Sequence, residues 1–407
     1  MTSYSTFMYM NKRKIINDPI YGLISYPFDL LYDIIEHPYF QRLRRISQMG
    51  LSTYVYPGAT HTRFSHALGA LHLMTTAIQT LRNKGQDIND DEYLGACVAI
   101  LLHDIGHGPF SHALEGLILE TSHENISLDL MKILNNEFDG QLKTGIEIFT
   151  GTYPKKFLTQ LVSSQLDVDR LDYLTRDSYY SGVAEGVIGY KRIISMLNVI
   201  DNQLVVEEKG IFSIQKFLIA RHIMYWQVYL HKTSLVAEQM LKRYVIRLKE
   251  LVNANKIEDS SSVFVNLLHA KSPINAELLN SFTKLDDVDV YHNLKVSGKF
   301  ADPILELLSK GILNRNLFKV ILDKSPVAED LKHDIRQNLK KNYGLNESLI
   351  DHLIIEGVEK SRAYNNENQE INILTKQGKV KPMSEFLDVV VNVNEITKHY
   401  ICFPKIN

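Results

Sequence analysis

The stretch Leu101–His112, LLHDIGHGPFSH, places His103, Asp104, His107 and His112 within ten residues. Neutral imidazoles and carboxylates are the common ligands of hard or borderline divalent metals. A single histidine beside an apolar run is usually a satisfied core residue; four such groups packed this closely have little structural use. An apolar run, residues 94–102, leads into His103. His103 and His107 are four apart, so in a continuing helix they would share one face. Gly106, Gly108 and Pro109 then end that helix.

Two further stretches carry matching chemistry. In 155–183, Asp167, Asp169, Asp172 and Asp177 alternate with Arg170, Arg176 and apolar Leu171 and Leu174. The leucines turn one helix face into the core, and an aspartate beside them needs a metal or an arginine as partner. In 54–81, His61, Arg63 and His66 sit where a helix opens near Thr60. An arginine at a helix start opposes the macrodipole preference, which points to a bound anion. One histidine before Ala67, the His103–Asp104 pair and an aspartate in 167–177 form a two-histidine, two-carboxylate set. A metal held there would acidify water and polarise a phosphoryl oxygen, a hydrolytic arrangement. Further on, Arg221, Tyr225 and Tyr229, with Lys232, follow an i, i+4, i+8 row. It suits a phosphate and a base, or equally a packed aromatic ridge.

The elements that must position these groups are mostly helical. Residues 14–27 read as a short strand or turn pair after a loose tail, 1–13. Residues 28–50 have helical spacing interrupted at Pro38, with a basic cluster, Gln41, Arg42, Arg44 and Arg45, that is either solvated or anion-binding. Helices are expected at about 60–81, 93–105, 111–120, 123–136 and 214–252, with a loop at 82–92. A strand is expected after Asn202-Gln203. Residues 253–365 read as mostly helical after a polar hinge at 253–261, and alternating stretches at 371–383 and 389–403 as a small β element. The fold class is therefore mainly α, with a core at 1–252 and a C-terminal α+β part at 253–407.

Composition bounds the function. The chain has 407 residues, 45% hydrophobic and 23% charged, with a net charge of -2. That is an ordinary globular balance without the global basic bias of a dedicated nucleic-acid binder, although a local basic patch is left open. Cys97 and Cys402 have no metal-type spacing, and such usage fits a reducing cytosol. There is no secretory h-region and no run of eighteen apolar residues, so a cytoplasmic protein with no membrane span is expected.

HTRFSHALG, HDIGHGPFSH and DVDRLDYLTRD, in this order, resemble the deoxynucleoside triphosphate triphosphohydrolase branch of the HD superfamily, which includes dGTPase-like enzymes. INDPIYG, QRLRRISQMG, YKR and NRNLFK extend the likeness over about residues 14–325. The resemblance implies an HD-domain helical core. It implies His66, His103, Asp104 and Asp169 as ligands of a divalent metal (Mn, Mg, Fe, Co or Zn). His107, His112 and His123 match catalytic and phosphate-facing histidines, with His112 as the acid for the leaving 5′-oxygen. Arg63, Arg170, Tyr173 and Arg221 match triphosphate and sugar contacts. Gln48 and Asp177 match 3′-hydroxyl contacts, Tyr173 stands where a 2′-hydroxyl would go, and Tyr229 lies beside the base. Lys14, Glu36, Gln41, Arg44, Arg315 and Lys319 align with a regulatory nucleotide site at a subunit interface. Glu36 stands where a relative has Asp, and Tyr21 where the family usually has His. The implied activity is hydrolysis of a dNTP to deoxynucleoside and triphosphate by a nucleotide-activated homo-oligomer, a tetramer by resemblance. Two other classes remain. Another HD phosphohydrolase, acting on nucleotide monophosphates or phosphodiesters, would not need Arg63, Arg170 and Arg221. A nucleic-acid-binding protein with a vestigial site would need a basic surface.

Overall fold

Helix Asp90–Leu102 is the axis of the helical core. Tyr93 and residues 95–102 are all buried, and a helix apolar on every side can only sit inside. Its start is fixed by a capping box. Asn89 accepts from Glu92 N, and Glu92 accepts from Asn89 N. Such a cap stabilises a helix by about 1 kcal/mol. Helices Arg63–Asn83, Lys143–Phe149 and Lys156–Val162 pack against it. Helix Val168–Ser181 packs in turn on Arg63–Asn83. In this computed structural model the described residues are 14–257, 259, 262–269, 275–361, 370–386 and 396–405. Residues 1–13, read as a tail, and 389–395 of the closing β stretch lie outside them.

The chain is mainly α, with three small sheets among the described residues. Strands Ile16–Asp18 and Gly22–Ile24 form an antiparallel hairpin. Leu197–Ile200, Gln203–Glu207, Asn372–Leu374 and Val380–Pro382 form a four-stranded sheet in that order. Its parallel pair aligns Val206 with Ile373, so the C-terminal region adds strands beside the helical core. Ile396–Phe403 lies between Lys319–Asp323 and Ile355–Ser361, antiparallel to both. One buried apolar cluster runs from Ile24 to Phe403. No helix among the described residues is long and apolar enough to cross a membrane.

Several expected boundaries differ, each for a local reason. The motif helix stops at Leu102, with His103 as its cap. Ile105 N then bonds Leu102 O and His107 N bonds Asp104 O, so tight i−3 turns replace the helix. His103 and His107 therefore do not share a helical face. The helix expected at 111–120 is only a 3₁₀ turn, Ser111–Leu114, because Glu115 is extended and Gly116 has φ 74°. The segment 28–50 breaks into helices Asp29–Glu36 and Pro38–Gln41 and a 3₁₀ turn, Arg42–Arg45. The expected long helix 214–252 is two helices, Ile211–Met224 and Lys232–Asn253, joined by a π turn at Tyr225–Tyr229. His231 accepts from Thr233 N and starts the second. The π turn widens the spacing, so Arg221, Tyr225 and Tyr229 are not a regular ridge. The mostly helical 253–365 also contains the strands Lys319–Asp323 and Ile355–Ser361.

Candidate active site

Three helices deliver the metal-type residues to one point. His66 comes from the first turn of Arg63–Asn83, His103 and Asp104 from the end of Asp90–Leu102, and Asp169 from the first turn of Val168–Ser181. His66 Nε2 lies 3.0 Å and His103 Nε2 3.4 Å from Asp169 Oδ1. Asp104 approaches both rings, at 3.3 Å from His103 and 3.8 Å from His66. The two Nε2 atoms are buried and make no hydrogen bond. Their other nitrogens are engaged. His66 Nδ1 donates to Asp172 Oδ2 at 2.8 Å, and His103 Nδ1 donates to Ile100 O at 2.6 Å. Both tautomers are thereby set with the Nε2 lone pair facing the carboxylates, the usual support of metal-ligating histidines. His66, His103 and Asp169 each bring one ligand atom to a common point where a divalent cation fits, and Asp104 stands beside them, its Oδ1 toward His103 and its Oδ2 toward His66. Burial opposes charge on His66, but Asp169 and Asp172 outweigh it and lift the imidazole to about 10. A cation can take the place of that proton.

Asp172 is itself fully buried. It accepts from Arg176 Nε and Nη2, at 2.9 and 3.0 Å, and from Tyr21 OH at 2.7 Å. Arg176 reaches on to Asp18. Gly69, three residues beyond His66, makes room for this pair. A Cβ there would lie 2.0 Å from Asp172 Oδ1. The tyrosine at position 21 thus belongs to the support of His66.

Beside this cluster lies a second group. The His107 and His123 rings stack at 3.8 Å, and His112 meets both edge-on. Glu115 holds two of them, accepting from His112 Nδ1 at 2.9 Å and His123 Nδ1 at 2.6 Å. Burial raises the Glu115 carboxyl, but these donors and His123 N bring it down to about 2. Burial and the nearby Arg63 hold the His107 and His112 imidazoles below their ordinary range. Arg63 pairs with Asp104 and donates to Ser111 Oγ at 2.7 Å. Phe110 and Ser111 both have φ 54°, a strained conformation for non-glycine residues. Asp287 holds Phe110 N at 2.7 Å, and Ser111 Oγ reaches Ser47 O at 2.7 Å.

A cavity of 800 Å³ opens over both groups. Gln48, Arg63, Arg170, Tyr173, Asp177, Arg221 and Tyr229 line it, together with His103, Asp104, His107, His112, His123 and Asp169. Arg170 is anchored by Asp167 and Ser164 O, and Arg221 by Gln165. Tyr229 OH donates to Asp177 Oδ2 at 2.6 Å. Tyr225 also lines the cavity, and its hydroxyl donates to Lys360 O.

The basic cluster near residue 42 divides. Arg42 is neither solvated nor free for an anion. It is 1% exposed and donates to Ile105 O, His107 O and Leu285 O, pinning the histidine loop. Burial lowers its guanidinium to about 10. Gln41 accepts from Arg44, whose guanidinium lies 3.6 Å over the Phe64 ring. Lys14 pairs with Glu36 at 2.7 Å on the surface. Arg315 donates to Tyr54 O, and Lys319 lies 5.9 Å over the Phe403 ring. Within one chain, these six residues make separate local contacts.

Sequence reasoning left the partner of an aspartate such as Asp172 open between a metal and an arginine, read Arg42 as solvated or anion-binding, and did not single out Glu115. The i, i+4 spacing of Asp172 and Arg176 was a usable signal. Glu115 left none, because a helix was expected across it.

The chain is similar to known proteins in sequence and fold. Residues 188–271 match a family described as the HD associated region. A deoxynucleoside triphosphate triphosphohydrolase SAMHD1 homolog of Dictyostelium discoideum is 30% identical over 84% of this chain and 70% of that protein. The uncharacterized protein YwfO of Bacillus subtilis is 29% identical over 97% of this chain and 93% of that one. The crystal structure of a phosphohydrolase from Bacteroides thetaiotaomicron superposes with a TM-score of 0.92 at 46% identity, covering 97% of this chain and 100% of that one. The chain belongs to the HD-domain deoxynucleoside triphosphate triphosphohydrolase family.

Proposed function

We propose that this phosphohydrolase cleaves dNTPs to deoxynucleoside and intact triphosphate, with His66, His103, Asp104 and Asp169 holding a divalent metal. The observation that carries the reading is the placement of Arg63, Arg170 and Arg221 around the same cavity as the two-histidine, two-carboxylate cluster. A monophosphate or a diester presents too few phosphoryl oxygens to engage all three guanidiniums. When bound, the metal acidifies water and polarises a phosphoryl oxygen.

The chain's own residues do the rest. Arg63, Arg170 and Arg221 bind the polyphosphate and offset the charge that grows on its oxygens. Gln48 and Asp177 orient the sugar, Tyr173 fills the space of a 2′-hydroxyl, and Tyr229 flanks the base. His112, held by Glu115, donates the proton to the departing 5′-oxygen, and His107 and His123 face the phosphates. The arriving polyanion favours the protonated imidazole, against the effect of Arg63 and burial. Lys14, Glu36, Gln41, Arg44, Arg315 and Lys319 form a regulatory nucleotide site in a homo-oligomer, most simply a tetramer.

The test is product analysis for each dNTP and NTP with Mn, Mg, Fe, Co or Zn supplied. Deoxynucleoside and tripolyphosphate are expected, with Asp104→Ala inactive. Orthophosphate or pyrophosphate as the first product would place the protein in another HD class.

A further inference from the structure

His61 precedes helix Arg63–Asn83 by two residues and belongs to neither histidine group of the site. Its side chain is fully enclosed, and Nε2 lies 2.7 Å from Asp177 Oδ1. A carboxylate only accepts, so Nε2 carries the proton. The opposite atom, Nδ1, is buried with no partner among the described residues. The ring stacks on Tyr180 at 4.5 Å and 19°, which fixes its plane. The backbone adds a second constraint, since His61 O accepts from Gln48 N. Gly58 lets the preceding turn sit close: a Cβ there would lie 2.7 Å from Tyr180 O.

Asp177 is thus held at both oxygens, by His61 at Oδ1 and by Tyr229 OH at Oδ2. A carboxylate has about four acceptor positions, so two holders leave room for a ligand donor. Asp177 lines the large cavity, where it adds negative charge beside three arginines. Neither arrangement helps a polyanion. Both suit a fixed acceptor for a neutral hydroxyl.

We propose that His61 is a positioning residue for substrate selection: it locks Asp177 in the one orientation that accepts from the sugar 3′-hydroxyl and so sets the preference for nucleotides that carry one. The inference rests on the dNTP reading of the cavity and names how that site recognises the sugar. His61 does not touch the substrate.

The experiment compares kcat/KM for each dNTP with that for its 2′,3′-dideoxy counterpart, using the metal-loaded full chain. Wild type is expected to favour the 3′-hydroxyl by about tenfold or more, as for a lost hydrogen bond to a charged group. His61→Phe keeps the ring against Tyr180 but loses the donor. It should bring the ratio to within about twofold of unity while the dideoxy substrate is still processed. His61→Gln can place an amide N–H near the same oxygen and should restore most of the preference. If His61→Phe does not fold, Gly58→Ala, which substitutes no cavity side chain and crowds Tyr180 O beside His61, should lower the ratio. Equal losses on both substrates in His61→Phe would show a purely structural residue and overturn the proposal. An unchanged ratio would do the same. Turnover of no dNTP by wild type would fell the triphosphohydrolase reading and this inference with it, an outcome distinct from a variant-specific failure.

Discussion

His66 and Asp172 form a buried pair, Nδ1 to Oδ2 at 2.8 Å, with side-chain exposures of 1% and 0%. The pair turns His66 Nε2 toward Asp169 and Asp104. Removing an outer partner of this kind typically costs about 10–100-fold in metal affinity. Asp172→Asn should therefore weaken metal binding by that order while His66, His103, Asp104 and Asp169 remain. It should also lower Tm, because buried Arg176 is left with Asp18 as its charged partner. Metal titration with thermal melts of apo and loaded protein checks both. Wild-type metal affinity in the variant would remove Asp172 from the support of the site.

Arg221 is anchored by Gln165 Oε1 at 3.1 Å and lines the same cavity as the metal-type cluster. Arg221→Ala should lower kcat/KM for dNTPs by about 10²-fold, in the range of a lost charge-assisted contact. A simple phosphomonoester, if turned over, should be spared, because it cannot reach that arginine. A parallel loss on both substrates would mean that Arg221 shapes the cavity and does not bind a phosphate.

How much of this was readable beforehand depends on whether spacing alone carried it. His66, His103, Asp104 and Asp169 stand at helix ends, where an apolar run stops and chemistry begins, and pattern reading finds such places. Arg63 was legible through its conflict with the helix dipole. Arg42 was not, because its partners are backbone carbonyls at 105, 107 and 285, which no side-chain pattern encodes. Glu115 was hidden by the left-handed Gly116, which ends a turn that propensity would extend. The π turn at Tyr225–Tyr229 was missed for a related reason. A five-residue widening leaves no trace in a 3.6-residue period, and it is packing that selects it.

Glu238 projects from helix Lys232–Asn253 into the same cavity. Burial pushes its carboxyl up to about 7, with Glu359 adding and Lys242 opposing. The folded state therefore holds this proton more tightly than the unfolded chain. The neutral form is present in the fold below that value, and stability falls as pH rises from about 4.5 through about 7. Charging also places a carboxylate in the cavity proposed to hold a polyanion. KM for a dNTP is expected to rise as pH passes through about 7 in wild type. Glu238→Gln should flatten that component, and the difference between the two profiles isolates it from histidine and phosphate titration. Superimposable profiles would show that Glu238 faces no part of the substrate.

The regulatory reading meets its sharpest test in the oligomer. Lys14 and Glu36 form a surface pair with side-chain exposures of 61% each, and such pairs contribute about 0–1 kcal/mol. Arg44 lies over Phe64, while Arg315 and Lys319 reach Tyr54 O and the Phe403 ring. None of these contacts explains why cations from both ends of the region 14–325 should act together. A polyphosphate bound between subunits would, and it would favour the assembled state by its differential affinity for it. Turnover of one dNTP should then rise when a second nucleotide is titrated in, while light scattering reports a shift toward a tetramer. Glu36 offers an acceptor to the N–H edge of a guanine, so guanine nucleotides should be the most effective activators. The double variant Arg44→Ala with Arg315→Ala should keep basal turnover and lose both responses. Hyperbolic kinetics that ignore every added nucleotide, in wild type and variant alike, would reduce the six residues to surface ion pairs and ring contacts.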